Sequence, residues 1–239
     1  MHFRYNRRME PQVISYLEMC NREGVNLQAG MNFRLGGHYS VILMSVRPNA
    51  PYQDAVLDDG TTLVYEGHDV PKTSTVTDPK ALDQPERTSA RTLTQNGKFH
   101  EAAQQAKTGS RQTELVRVYE KIRPGIWTDN GLFQLIDSWI EHDGKRNVFK
   151  FKLAAIEEPA QGGPDRALRD HQQPRRVIPT QVKLQVWKRD AGKCVRCGAK
   201  DELHFDHIIP YSRGGTSLSA DNIQLLCARH NIAKADNIE

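Results

Sequence analysis

Two short pairs of metal-binding residues constrain this chain more than anything else in it. Cys194 and Cys197 enclose two residues, and Cys227 and His230 repeat that spacing in "LLCARHN". Three thiolates and one imidazole in two such pairs can close a tetrahedral Zn2+ shell. A module of about 60 residues has a thin core and gains from a metal staple. The remaining cysteine, Cys20, stands alone in "ISYLEMCNREG", a segment predicted as a short helix that half-buries a structural thiol. Cysteines placed this way in a chain without a secretory signal point to metal rather than disulfides.

Between the two pairs runs "ELHFDHIIP". Leu203 and Phe205 share one face of a predicted strand, and ideal alternation puts Asp206 and His207 on opposite faces. The strand end must therefore twist if both are to serve one site. Asn222 follows in "SADNIQLL", and Asn231 comes directly after His230, pointing away from the zinc. A neutral imidazole titrating near ~6.5 can activate water at neutral pH. One divalent ion on a hard oxygen ligand can neutralise charge on a leaving oxygen. A zinc closed by four protein ligands can do neither.

The 239 residues fit one large domain or two smaller ones. A net charge of +4 permits a nucleic-acid partner without demanding one. No apolar run approaches the ~18 residues of a membrane span, and "MHFRYNRRMEPQ" lacks the apolar region of a signal peptide. A cytoplasmic protein is expected. The stretch from Glu157 to Arg176, rich in Pro, Gly and charge, reads as a linker. The domains are then 1–156 and 176–239, with 157–175 between them, and a flexible linker predicts a loose spacing of the two.

Upstream, strands are predicted in "HYSVILMSV", "TTLVYEG", "TELVRVYEKI", "LFQLIDSWIE" and "NVFKFKLAAI". In the last, Phe149, Phe151 and Leu153 alternate with Lys150 and Lys152, the period of a strand with one buried face. A helix is predicted around 96–106, and 69–95 as a long surface loop carrying Lys72, Lys80, Arg87 and Arg91. Downstream, "PTQVKLQVWKRDAGK" predicts a helix with Thr180 as N-cap and Gly192 as its stop.

Taken in order, "CVRCG", "DHIIPYSRGG" and "DNIQLLCARHN" resemble the HNH (ββα-metal) nuclease module with two zinc knuckles around it, over roughly 176–239. The resemblance implies that His207 is the general base and that Asn222 holds the loop between the strands and orients His207. It implies that Asp206 and Asn231 ligate one catalytic divalent cation, Mg2+ or Mn2+ and also Co2+ or Ni2+, while Cys194, Cys197, Cys227 and His230 hold a structural Zn2+. The last position of that motif is often histidine, and Asn231 is a weaker ligand. His230 could instead serve the catalytic ion, with His204 entering the zinc set.

The pieces "AGMNFR", "GGHYSVILMS", "LDDGTTLVYEGHD", "LTQNGKFHEAA" and "VRVYEK" with "NGLFQLIDSWIE" occur in the order of an SRA (YDG) domain across roughly 25–156. The resemblance implies an α+β fold: an SRA-like twisted β-barrel or sheet with helices, followed by the zinc-stapled HNH domain. It also implies double-stranded DNA as partner, with a flipped 5-methylcytosine or 5-hydroxymethylcytosine as the mark. Flipping costs a few kcal/mol, stacking on aromatic rings restores ~1–3 kcal/mol per base, and a carboxylate can accept from the cytosine N4 amine. Tyr52, Asp54 and Tyr65 best match that aromatic–Asp–aromatic set. Asp58 or Asp59 could replace Asp54, although both suit a turn. Glu66 stands where SRA domains usually carry a small hydroxyl residue, a departure from the pattern of that family. The expected function is a modification-dependent endonuclease of prokaryotic type, acting as a homodimer for a double-strand break. The alternatives are a nuclease indifferent to modification and a reader that does not cut.

Overall fold

The computed structural model describes residues 11–27, 29–57, 60–156, 177–210, 213–234 and 238. The expected linker and the Asp58–Asp59 turn lie outside the described residues. The fold is α+β and dominated by one mixed sheet. Its strands are β1 (Gln12–Ile14), β2 (Met31–Asn32), β3 (Ser40–Met44), β4 (Ala55–Val56), β5 (Thr62–Glu66), β6 (Leu115–Arg123), β7 (Ile126–His142), β8 (Asn147–Ala155), β9 (Leu203–His207) and β10 (Ile223–Cys227). The helices are α1 (Tyr16–Glu23), α2 (Gln95–Lys107), α3 (Thr180–Arg189) and α4 (Ala228–Lys234). None of the described helices is long and apolar enough to cross a membrane.

The sheet is organised by β7. One of its edges carries β6 along Ile126–Gln134; the other carries β1 at Trp127–Asp129 and then β8 from Phe133 onward. The β6–β7 pair shifts register twice and the β7–β8 pair once, and such bulges sharpen the twist of a long ribbon. Beyond β6 come β3, in parallel, and β2; beyond β8 come β5 and β4. On the far side of β1 lie β9 and then β10, so strands of the upstream and downstream regions share one sheet.

Helix α2 lays Phe99, Ala102 and Ala103 onto a core of Phe133, Leu135, Phe149, Phe151 and Leu153. The alternation in β8 is thus as expected for the apolar residues. Lys150 departs from it: it is buried, its ammonium 3.0 Å from the Glu66 carboxylate on β5. Helix α1 starts with a capping box between Ser15 and Glu18 and ends at Gly24. Helix α3 corrects the expected cap. Pro179 precedes it, Thr180 is its first residue, and the Thr180 hydroxyl donates instead to the Glu120 carboxylate. The segment 69–95 contains one 3-10 turn at Pro79–Ala81 and an Arg87–Leu93 bridge.

Candidate functional site

Strand β10 runs without a break into α4, which places His230 one turn beyond Cys227 and opposite the Cys194–Cys197 knuckle. The four ligand atoms lie within 4.8 Å of one another. The His230 Nδ1 is 3.3 Å from both Cys194 Sγ and Cys227 Sγ, and Cys197 Sγ is 3.8 Å from Cys227 Sγ. A tetrahedron with bonds of about 2.3 Å to sulfur and about 2.0 Å to nitrogen has edges of about 3.8 and 3.5 Å, so the cluster fits zinc. Burial opposes the Cys194 thiolate, but backbone hydrogen bonds from Cys227, Arg196 and Cys197 and one from His230 outweigh it and bring the thiol down to about 6. His230 thus stands in the zinc set, and His204 lies on β9 opposite Leu226.

Asp206 and His207 end strand β9, and both are buried. The Asp206 carboxylate accepts from Gln224 Nε2 at 3.1 Å on the paired strand and lies 3.1 Å from the Lys234 ammonium. That ammonium also donates to the His207 carbonyl at 2.6 Å. The His207 ring is held at Nε2 by the Ser217 hydroxyl, 2.9 Å away, which restrains its orientation. Lys234 and Ser217 thus hold the pair from two sides. The sequence reading missed both residues, and no spacing rule would have singled them out. Asn231 lies half-buried on α4, three residues before Lys234.

Asn222 is hydrogen-bonded across the loop that follows β9. Its Oδ1 accepts from Ile209 N–H at 2.9 Å, and its Nδ2 donates to the Ile209 and Thr216 carbonyls at 3.0 Å each. Its own carbonyl accepts from Ile208 N–H at 2.8 Å. Gly215 lets the loop close this tightly: a Cβ there would lie 1.8 Å from the Ile209 carbonyl oxygen.

Tyr52, Asp54 and Tyr65 gather where β4 and β5 meet, around a residue that the sequence reading passed over. His68 stacks on Tyr52 with ring centres 5.2 Å apart, and its Nε2 lies 2.8 Å from the Tyr65 hydroxyl. The Lys80 ammonium sits 4.1 Å from the centre of the Tyr52 ring. Gly30 packs so close that a Cβ would meet both His68 Nε2 and the Tyr65 hydroxyl, at 2.7 and 2.9 Å. Burial pulls the His68 imidazole down to about 4, so it is neutral at neutral pH. Burial also pushes the Asp54 carboxyl up to about 7, against the Ser45 and Glu66 N–H groups that donate to it. Glu66 faces inward: it accepts from Gln53 N–H at 3.0 Å and pairs with Lys150.

Residues 194–236 match the family model described as HNH endonuclease. No curated protein matches the chain. Among solved structures, the SUVH5 SRA domain in complex with hemi-methylated CG DNA is 24% identical, covers 66% of this chain and 92% of its own, and superposes with a TM-score of 0.42. KRYPTONITE in complex with mCHG DNA is 17% identical over 67% of this chain and 36% of its own, with a TM-score of 0.39. The Type IV phosphorothioation-dependent restriction endonuclease ScoMcrA is 14% identical over 96% of this chain and 57% of its own, with a TM-score of 0.40.

Proposed function

We propose that this protein, a DNA endonuclease by its HNH domain, cuts duplex DNA that carries a modified cytosine. The observation that carries the cutting half is the buried Asp206–His207 pair at the end of β9, with Ser217 on the His207 ring and Asn222 bonded across the loop that follows. His207 takes the proton from the attacking water, and Ser217 keeps the ring in place for it. Asn222 holds the loop shut behind it. Asp206 and Asn231 offer two hard oxygen donors, a set that suits Mg2+ or Mn2+ better than Zn2+. Such an ion supplies neutralisation of charge on the leaving oxygen. The zinc quartet stays structural.

The reading half rests on the cluster of Tyr52, Tyr65 and His68 beside the buried Asp54. Aromatic rings give a flipped base its stacking surface, and Asp54, whose two oxygens accept from Ser45 and Glu66 N–H in this structure, is the carboxyl assigned to the cytosine edge. The module boundaries are 1–156 and 176–239, and the substrate mark is 5-methylcytosine or 5-hydroxymethylcytosine. Double-strand cutting needs a homodimer or two engagements, since one such site cuts one strand.

The test is one duplex in three versions, with plain, 5-methyl- and 5-hydroxymethylcytosine, incubated with Mg2+ or Mn2+. Cutting of a modified version alone, lost in His207→Ala, is the expected result. Equal cutting of all three versions would remove the reader. Tight binding to modified DNA with no cutting would remove the nuclease. The Lys234 ammonium on Asp206, the carboxylate that must hold the ion, is the observation that favours this last reading.

A further inference from the structure

A nuclease tied to its reader by a linker alone has no need of a buried junction, yet this chain has one with three components. First, β1 pairs with β7 on one side and with β9 on the other, and Phe205 N–H donates to the Pro11 carbonyl at 3.0 Å. Second, Ile122 of β6 is buried in one core with Ile178, Val182, Val186, Phe205 and Leu225. Third, the fully buried Lys183 of α3 places its ammonium 2.6 Å from the Glu120 carboxylate of β6 and 2.9 Å from Asn130 Oδ1 of β7. Glu120 also accepts from Asn130 Nδ2 at 2.9 Å and from the Thr180 hydroxyl.

A buried ion pair adds little net stability over an apolar replacement, although removing one partner is costly; its best-attested use is to fix register. Helix α3 leads directly into the zinc knuckle at Cys194. Strand β7 continues to β8, which pairs with β5 through Phe151 and Tyr65. Hydrogen-bonded strands therefore connect Tyr65 to Asp206 without passing through residues 157–176.

We propose that Lys183 is a positioning residue: locked on Glu120 and Asn130, it holds the nuclease module in register with the reader, so that cuts fall at a fixed offset from the recognised base. The proposal rests on the function proposed above, and it replaces the loose spacing that a flexible linker predicts.

The test maps cuts on end-labelled duplexes with a single modified cytosine. Wild type is expected to cut at one or two adjacent positions per strand. Lys183→Met should spread the cuts over several more positions, with total cutting within about threefold. Adding Glu120→Gln removes the stranded charge without restoring the lock, so folding should recover while the cuts stay spread, which separates loss of the lock from the cost of an unpaired buried carboxylate. A second readout needs no cutting. A protease site placed between Gln161 and Gly162 is cleaved in the full chain, and the fragments are run on gel filtration. Wild-type fragments should co-elute and Lys183→Met fragments should separate. Wild-type cuts scattered over a helical turn, about ten base pairs, would overturn the proposal. So would a Lys183→Met protein that keeps both the narrow pattern and the joined fragments. If wild type cuts no duplex, the nuclease reading fails, and fragment separation still decides whether the junction holds.

Discussion

Replacing Asn222 by Ala tests whether the loop after β9 is part of the catalytic device. The change removes three side-chain hydrogen bonds, to Ile209 N–H and to the Ile209 and Thr216 carbonyls. At a net ~1 kcal/mol each, the closed loop loses about 3 kcal/mol relative to an open one in which water satisfies the same groups. Since about 1.4 kcal/mol is tenfold, the closed-to-open ratio falls by about two orders of magnitude. Nicking of supercoiled plasmid carrying modified cytosines should fall by up to that factor. The loop opens locally, so the zinc content should stay whole and the melting temperature should drop by only a few degrees. Asn222→Asp should do no better than Ala. It keeps an acceptor for Ile209 N–H but points an oxygen at two carbonyls that need a donor. Gly215→Ala should behave alike, because its Cβ would strike the Ile209 carbonyl. Nicking within twofold of wild type in Asn222→Ala, or rescue by Asp, would refute the loop argument.

Removing zinc with a strong chelator should unfold the C-terminal module cooperatively, seen as early loss of the Trp187 fluorescence signal, while far-UV signal from the rest of the sheet persists; a chelated protein with an unchanged melting curve would contradict this. Asp54 titrates near 7 in the folded chain against ~3.9 unfolded. Between those values only the folded state holds the proton. Stability must therefore fall as pH rises from about 4 to about 7 and level off above, by an upper bound of about 4 kcal/mol. Urea midpoints measured across that range should show this slope in wild type and lose it in Asp54→Asn; parallel curves would remove the buried-acid argument. His68→Ala takes away the ring stacked on Tyr52 and the partner of the Tyr65 hydroxyl, and should weaken binding of modified duplex about tenfold in a His207→Ala background, read by fluorescence anisotropy; unchanged affinity would take His68 out of the pocket.

The zinc quartet was legible because its spacing is set by coordination geometry, which survives almost any surrounding fold. The strands were legible from β-branched runs, and β8 from Phe149, Phe151 and Leu153. What the sequence could not reveal were partners that meet only across the fold. Lys150 obeys the alternation of a solvent face, but β5 brings Glu66 over it and the pair is buried. Thr180 has the chemistry of a cap, but Glu120 is nearer to hand than the α3 backbone. Lys234 and Ser217 look like ordinary polar residues until α4 and the loop fold back on β9. His68 follows Gly67 with no periodic signal at all, and only the approach of Gly30 and Tyr52 makes it the centre of a cluster. Residue types that carry their own geometry can be read in one dimension; those whose role is assigned by a neighbour cannot.

The three-residue strand β1 also sets the order in which the molecule can be completed during synthesis. Its β7 side can be occupied as soon as the hairpin from Leu115 to His142 has emerged, but its other edge must wait for Leu203–His207. Pairings between such distant segments are slow to form, and an edge left open meanwhile can recruit other chains. On a ribosome adding about 5–20 residues per second, that interval lasts several seconds or more. The upstream part of the sheet can therefore be assembled while β9, β10 and α4 are still incomplete, so Asp206, His207 and the cysteine–histidine quartet come together only when the last strands are laid down.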